Sequence, residues 1–189
     1  MIELPDYARV VRVLGRGEHP YLELLPRVAE SPAMRRIETP GTPLEPLLNG
    51  ARVRLVPGDG FVWVDDELPA IILNDHYYRT GRPLDLYLDL VHELVHLRQL
   101  AEGHDLWDDR HLYENRPTEI EAYAIAIEEG RRLGMTEADI HHHLSNPWMS
   151  PAAVERLRRH IDKYLAKHPI GHGDAESTEE NVSPTFSAG

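Results

Sequence analysis

Residues 89–100 read DLVHELVHLRQL, which sets His92, Glu93 and His96 in the spacing H-E-x-x-H. On a helix, positions i and i+4 lie one above the other, so two imidazoles spaced in this way can reach one ion. Glu93 falls about 100° around the helix from His92, close enough to touch a water beside that ion without ligating it. A divalent ion lowers the pKa of such a water toward ~7, and a carboxylate can then take its proton. The chemistry expected is attack of an activated water on a carbonyl, with Glu93 as general base. The competing reading is two surface histidines beside a solvated acid, in a chain that holds 12 histidines.

A catalytic zinc takes three protein ligands and leaves a position for water. The chain has no cysteine, so the third ligand must be His, Asp or Glu. Downstream candidates are Glu102, His104, His111, Glu114, Glu119 and Glu121. Glu102 has the spacing of the metzincin third ligand, which requires a sharp turn at a glycine. Gln99 stands at that position, and as a good helix former it carries the helix on and Glu102 away. The segment PTEIEAYAIA opens a second helix. Thr118 and Glu121 have the spacing of a capping box, which gives Glu121 a structural task. Glu119 is left in the first turn, and small Ala122 lets the two helices approach closely. Glu119 is the preferred ligand and Glu121 the alternative. Without a metal, Glu119 would simply favour the helix dipole.

HELVH followed by EIEAY resembles the gluzincin branch of the zincin metallopeptidases, over about residues 52–133. The compact size also resembles the minigluzincins, and EIEAYAIA is somewhat similar to the ImmA/IrrE type, which cuts intracellular regulators. The resemblance implies Zn2+ as cofactor and a protein or peptide as substrate. It also implies a small, mostly antiparallel sheet whose edge strand lies beside the substrate, with the HExxH helix behind it. Four residues after the ligand glutamate, many gluzincins carry an aspartate that holds a ligand histidine; this chain has Tyr123. Its hydroxyl takes over that task, another group such as Asp89 does, or the support is missing. Zincins also use a Tyr or His donor to stabilise the oxyanion. Candidates are Tyr113, Tyr123, His141, His142 and His143, although residues of each kind taken singly more often serve packing or the surface. Tyr123 is carried forward as a catalytic residue beside Glu93. Trp107 is either a lid over the cleft or a core aromatic. Asp85 and Asp89 are either supports for the ligands or solvated helix acids.

These residues need elements to hold them. Leu86, Leu90, Leu94 and Leu97 make an apolar stripe that predicts a long helix from about Pro83 to Glu102, stopped by Gly103. A second helix is expected over 118–133. TEADIHHHL reads as a short third, with Thr136 and Asp139 as a capping box. SPAAVERLRRHIDKYLAKH reads as a fourth, capped by Ser150 with Pro151 in its first turn. RVRLV (52–56) and FVWV (61–64) flank PGDG and read as a hairpin. PAIILN (69–74) is a third strand, either open to an extended peptide or interior to the sheet. Upstream, 6–14 and 20–29 read as short helices, the second broken near Pro26, and 33–37 as one helical turn. Residues 39–50 read as a proline-rich connection. The expected fold class is α+β and zincin-like: a small, mostly antiparallel sheet packed on the HExxH helix and a following glutamate helix, with extra N- and C-terminal helices. The expected division is 1–50 as an N-terminal helical segment able to occlude the cleft, 51–168 as the metallopeptidase domain, and 169–189 as a disordered tail.

A chain of 189 residues suffices for one domain with a real core. A net charge of -12 argues against a nucleic-acid partner, because phosphate binding needs a basic surface. No apolar run approaches the roughly 20 residues that span a bilayer, and MIELPDYARVVRVLG is not a secretory signal. A cytoplasmic location is expected. The functional expectation is a zinc-dependent endopeptidase. The alternative is a metal-stabilised regulatory or binding module with little turnover, motivated by Tyr123 in place of aspartate and by the lack of an obvious pro-segment.

Overall fold

The computed structural model describes residues 2–58 and 60–169, an α+β fold of four strands and eight helices, several of them short. The strands are β1 (Gly17–Pro20), β2 (Arg52–Val56), β3 (Val62–Asp65) and β4 (Ala70–Asn74), in the order β1-β2-β4-β3. β1–β2 and β3–β4 pair antiparallel and β2–β4 parallel, so the sheet is mixed. The hairpin expected from 52–56 and 61–64 does not form. β4 lies between those strands, pairing Ile71 with Val53 on one side and Leu73 with Val62 on the other. Burial explains the order: every residue of β4 is buried, β2 alternates, and β3 buries only Val64. A short run that is apolar on both faces belongs at the centre of a sheet. PAIILN is therefore interior, and β3, like β1 on the other side, is an edge strand.

The helices are α1 (Tyr21–Leu24), α2 (Met34–Ile37), α3 (Leu44–Gly50), α4 (Asp75–Thr80), α5 (Pro83–Ala101), α6 (Pro117–Arg132), α7 (Glu137–Leu144) and α8 (Pro151–Lys167). Fourteen of the nineteen residues of α5 are buried, so it is the spine of the core rather than a surface helix. It ends where Gly103 adopts φ +81° and its N–H bonds the Leu100 carbonyl at 2.9 Å, a left-handed stop that glycine takes without strain. α6 packs against α5. A Cβ on Gly130 would lie 2.4 Å from Met135 Sδ and 3.1 Å from Leu88 Cδ1, so the close approach of α6 to α5 uses a missing side chain. The capping box of α7 and the Ser150 cap of α8 form as the sequence indicates.

The upstream reading needs correction. Residues 6–14 hold one 3-10 turn, Asp6–Ala8, and 20–29 splits into α1 and a 3-10 turn at Val28–Glu30. The proline-rich connection contains α3, with Pro43 as N-cap and Pro46 in the first turn, where proline forfeits no helical bond. β1 joins the sheet, and Tyr21, Leu24, Val28 and Met34 join the core that contains Leu90 and Leu94. The Tyr21 hydroxyl donates to the Leu90 carbonyl of α5 at 3.0 Å. The N-terminal segment and the motif helix thus share one core. The tail expected at 169–189 lies, beyond residue 169, outside the described residues. Among those described, no helix is long and apolar enough to cross a membrane.

Candidate metal centre

α5 presents His92 and His96 one turn apart, and the first turn of α6 brings Glu119 to them. The two Nε2 atoms lie 2.9 Å apart. Glu119 Oε2 is 3.4 Å from His92 Nε2, and its Oε1 is 3.6 Å from His96 Nε2. All three residues are buried, and their ligand atoms lie within 4.8 Å of one another, the one such group of three among the described residues. Glu119 Oε2 finds no hydrogen-bond donor there. A buried carboxylate oxygen that lacks a donor while facing two imidazole nitrogens is costly alone and favourable around a cation. The donor set fits a divalent ion, and the buried His-His-Glu group could hold one.

A third helix position holds the second histidine. His96 Nδ1 lies 2.7 Å from Gln99 Oε1, while Gln99 Nε2 donates to the Thr118 carbonyl at 3.1 Å and to Glu121 Oε2 at 2.7 Å. Those two acceptors fix the amide's orientation, so its oxygen must accept from His96 Nδ1–H. A proton is thereby placed on Nδ1, which leaves Nε2, on the side of Glu119, as the nitrogen able to ligate a cation. Sequence reasoning weighed Gln99 only as a helix former; its position one turn after His96 was the available signal.

Glu93 is buried beside the group. Burial pushes its carboxyl up to about 8; the carboxylates of Glu119 and Asp89 add to the rise and His96 opposes it. Burial also disfavours charge on Glu119, but the two imidazoles facing its oxygens, at 3.4 and 3.6 Å, outweigh it and hold this carboxyl below the usual range. A cation at the centre would act in the same sense on both acids.

Tyr123 does not support a ligand histidine through its hydroxyl. Its ring stacks edge-on against His92, with centroids 4.3 Å apart, and its hydroxyl bonds Tyr113 at 3.0 Å and Asn146 at 2.9 Å. Asp89 accepts from Tyr77 and faces His143 Nε2 at 3.7 Å, while Asp85 faces His143 Nδ1 at 3.5 Å. Among the described residues, His92 Nδ1 has no hydrogen-bond partner.

The remaining candidates sit elsewhere. Glu121 pairs with Arg98 at 2.7 Å and accepts from Tyr164 at 3.0 Å. The capping box expected from Thr118 and Glu121 is absent: Arg116 is the N-cap and contributes no side-chain bond. Glu102 accepts from Thr39 and Arg98, at the end of α5 as expected of a continuous helix. Glu114 pairs with Arg156 at 2.6 Å. His104 and His111 are exposed, each near a neighbouring acid. His141 is exposed and meets Ser145, whereas the His143 side chain is buried. Trp107 is half exposed on the wall of the cleft rather than in the core.

That cleft has two lobes. One, of about 400 Å³, is walled by Val64, Trp63, Leu106 and Trp107; the other, of about 340 Å³, by Arg82, Asp85, Asp89 and His143. Both include Phe61, Val62, His92, Glu93, Tyr113 and Trp148, so the lobes meet at His92 and Glu93. Trp63 and Trp148 were not singled out by sequence reasoning.

The fold and site define a small α+β protein with a buried His-His-Glu group able to hold a metal ion at the floor of a two-lobed cleft. No protein-family model, curated protein or solved structure matches the chain.

Proposed function

We propose that the chain is a zinc-dependent endopeptidase with His92, His96 and Glu119 as ligands and Glu93 as general base. The reading is carried by Glu93, a buried carboxyl with no ligand role that lines both lobes beside the three donors. Zinc is favoured over other divalent ions by the His-His-Glu donor set, in a chain without cysteine, and by the resemblance to gluzincins. When bound, the cation would supply Lewis acidity, making a water more acidic and a peptide carbonyl more electrophilic. Glu93 takes the proton of the attacking water as the oxygen bonds to the carbonyl carbon. It then delivers that proton to the amide nitrogen as the C–N bond breaks, leaving an acid and an amine. Tyr113 faces both lobes and is the donor best placed for the oxyanion, with Tyr123 holding its hydroxyl. The substrate lies extended along the free edge of β3.

The test is Glu93→Gln, which retains the metal and loses hydrolysis of a generic substrate such as casein. Cleavage at the wild-type rate would remove Glu93 from the mechanism. The second reading is a metal-stabilised binding module. It draws on His92 Nδ1, which lacks the partner that a well-supported ligand has. Identical maps of new protein termini in cells carrying wild type and Glu93→Gln would select it.

A further inference from the structure

The chain contains three tryptophans, and all three line the apolar lobe of the cleft. They come from separate segments: Trp63 from β3, Trp107 from the connection between α5 and α6, and Trp148 from the connection between α7 and α8. Their exposures are 41%, 52% and 62%. Indole rings are ordinarily the most profitable side chains to bury. Three of them left half in water around one cavity make a wall that gains by covering an apolar ligand group.

The neighbouring elements say what that group belongs to. Residues 60–64 line the lobe consecutively, as the backbone of a free strand edge does when it faces a cleft. Phe61 and Trp63 stand two apart and so point to the same face. A peptide laid along β3 past Glu93 therefore carries alternate side chains toward the indoles. The rim around Trp107 is acidic, with Asp105 and Asp109 exposed, and the whole chain carries a charge of -12. That repels an anionic lipid surface, the other usual partner of exposed tryptophan.

We propose that the cleft selects peptides with a large apolar side chain, such as Phe or Leu, next to the scissile bond, seated between Trp63 and Trp107. The polar lobe beyond Glu93 receives the opposite flank. This specificity rests on the peptidase reading, yet it can be measured without turnover.

The probe is a set of fluorescein-labelled, tryptophan-free peptides, identical except for one central residue: Phe, Leu, Ala, Asp or Lys. They are titrated by anisotropy into zinc-loaded Glu93→Gln. Phe and Leu peptides should bind about tenfold or more tighter than the Ala and Asp peptides, and the tryptophan emission should shift with the same midpoint. Trp107→Ala, in a loop, and Trp63→Ala, on an edge strand, should each reduce the preference severalfold, so the misfolding of one leaves the other informative. Equal affinity across the set, no binding of any member, tightest binding of Lys, or an unchanged preference in a folded Trp63→Ala or Trp107→Ala would overturn the inference. So would an emission shift on phosphatidylcholine–phosphatidylglycerol vesicles that Phe peptide does not compete away. Wild type is then given the Phe peptide. Selective binding without cleavage upholds the specificity and sinks the peptidase reading; cleavage of all five peptides at one rate does the reverse.

Discussion

Gln99 joins the second histidine of the motif to the helix that carries Glu119. Its oxygen accepts from His96 Nδ1 at 2.7 Å, and its nitrogen reaches Thr118 and Glu121, the residues on either side of Glu119's turn. One amide thus sets the ring and the spacing of the two helices at the site. Replacing it by leucine keeps the volume and removes both functions. Zinc affinity of Gln99→Leu, measured by competition with a chelator, should fall roughly 10- to 100-fold. An unchanged affinity would show that the amide does not hold the ligand.

Glu119 and Glu121 divide two tasks that the sequence left open between them. Glu121→Ala should keep the metal but lose about 1–3 kcal/mol of stability in denaturant unfolding. The cause is Arg98, whose side chain is 5% exposed; it would keep only Glu102, at 3.2 Å. A Glu121→Ala chain that loses metal outright while remaining folded would reverse the assignment.

Ala122 and Tyr123 lie three and four residues after Glu119, hence on the same face, and the Tyr123 ring packs on His92. Ala122 is fully buried. A leucine there has no room except by pushing α6 away from α5. Ala122→Leu should cost about 1–3 kcal/mol in stability and weaken zinc binding, because Glu119 moves with its helix. Calorimetric unfolding and zinc titration of the same sample check both; full zinc affinity would show that the helix spacing does not set the site.

His143 provides a pH signature. Burial disfavours its charge, but Asp85 and Asp89 outweigh burial and raise its pKa. A group whose pKa rises on folding binds its proton more tightly in the native state. Its contribution is complete below the unfolded value of about 6.5 and disappears as the pH climbs through the folded value. The unfolding free energy of wild type minus that of His143→Gln should therefore be largest in mild acid and shrink as the pH rises above about 6.5. A difference that grows with pH would mean that His143 is neutral in the fold.

The helices of the site were legible because their signals are local. The leucine stripe, Gly103, and the caps at Thr136 and Ser150 act within a few residues of where they are read. Glu119's place beside the histidines was legible from its position in the first turn of α6, although the capping box that set Glu121 aside does not form. The sheet was less legible: residues 52–56 and 61–64 are adjacent in sequence, and only burial of all of β4 makes the third strand their common neighbour. Glu121's bonds to Arg98, Gln99 and Tyr164 span three helices, so the cap suggested by T-x-x-E was the local answer to a tertiary question. The N-terminal segment was misread for the same reason. Its short turns are set by docking onto the core rather than by periodicity.

The convergence of His92, His96 and Glu119 on one ion is tested most directly by elemental analysis of the purified chain after zinc loading and desalting. Wild type and Glu93→Gln should each retain about one zinc per chain, and folded Glu119→Ala about a tenth or less. Wild type that emerges without metal, or folded Glu119→Ala with a full equivalent, would contradict it.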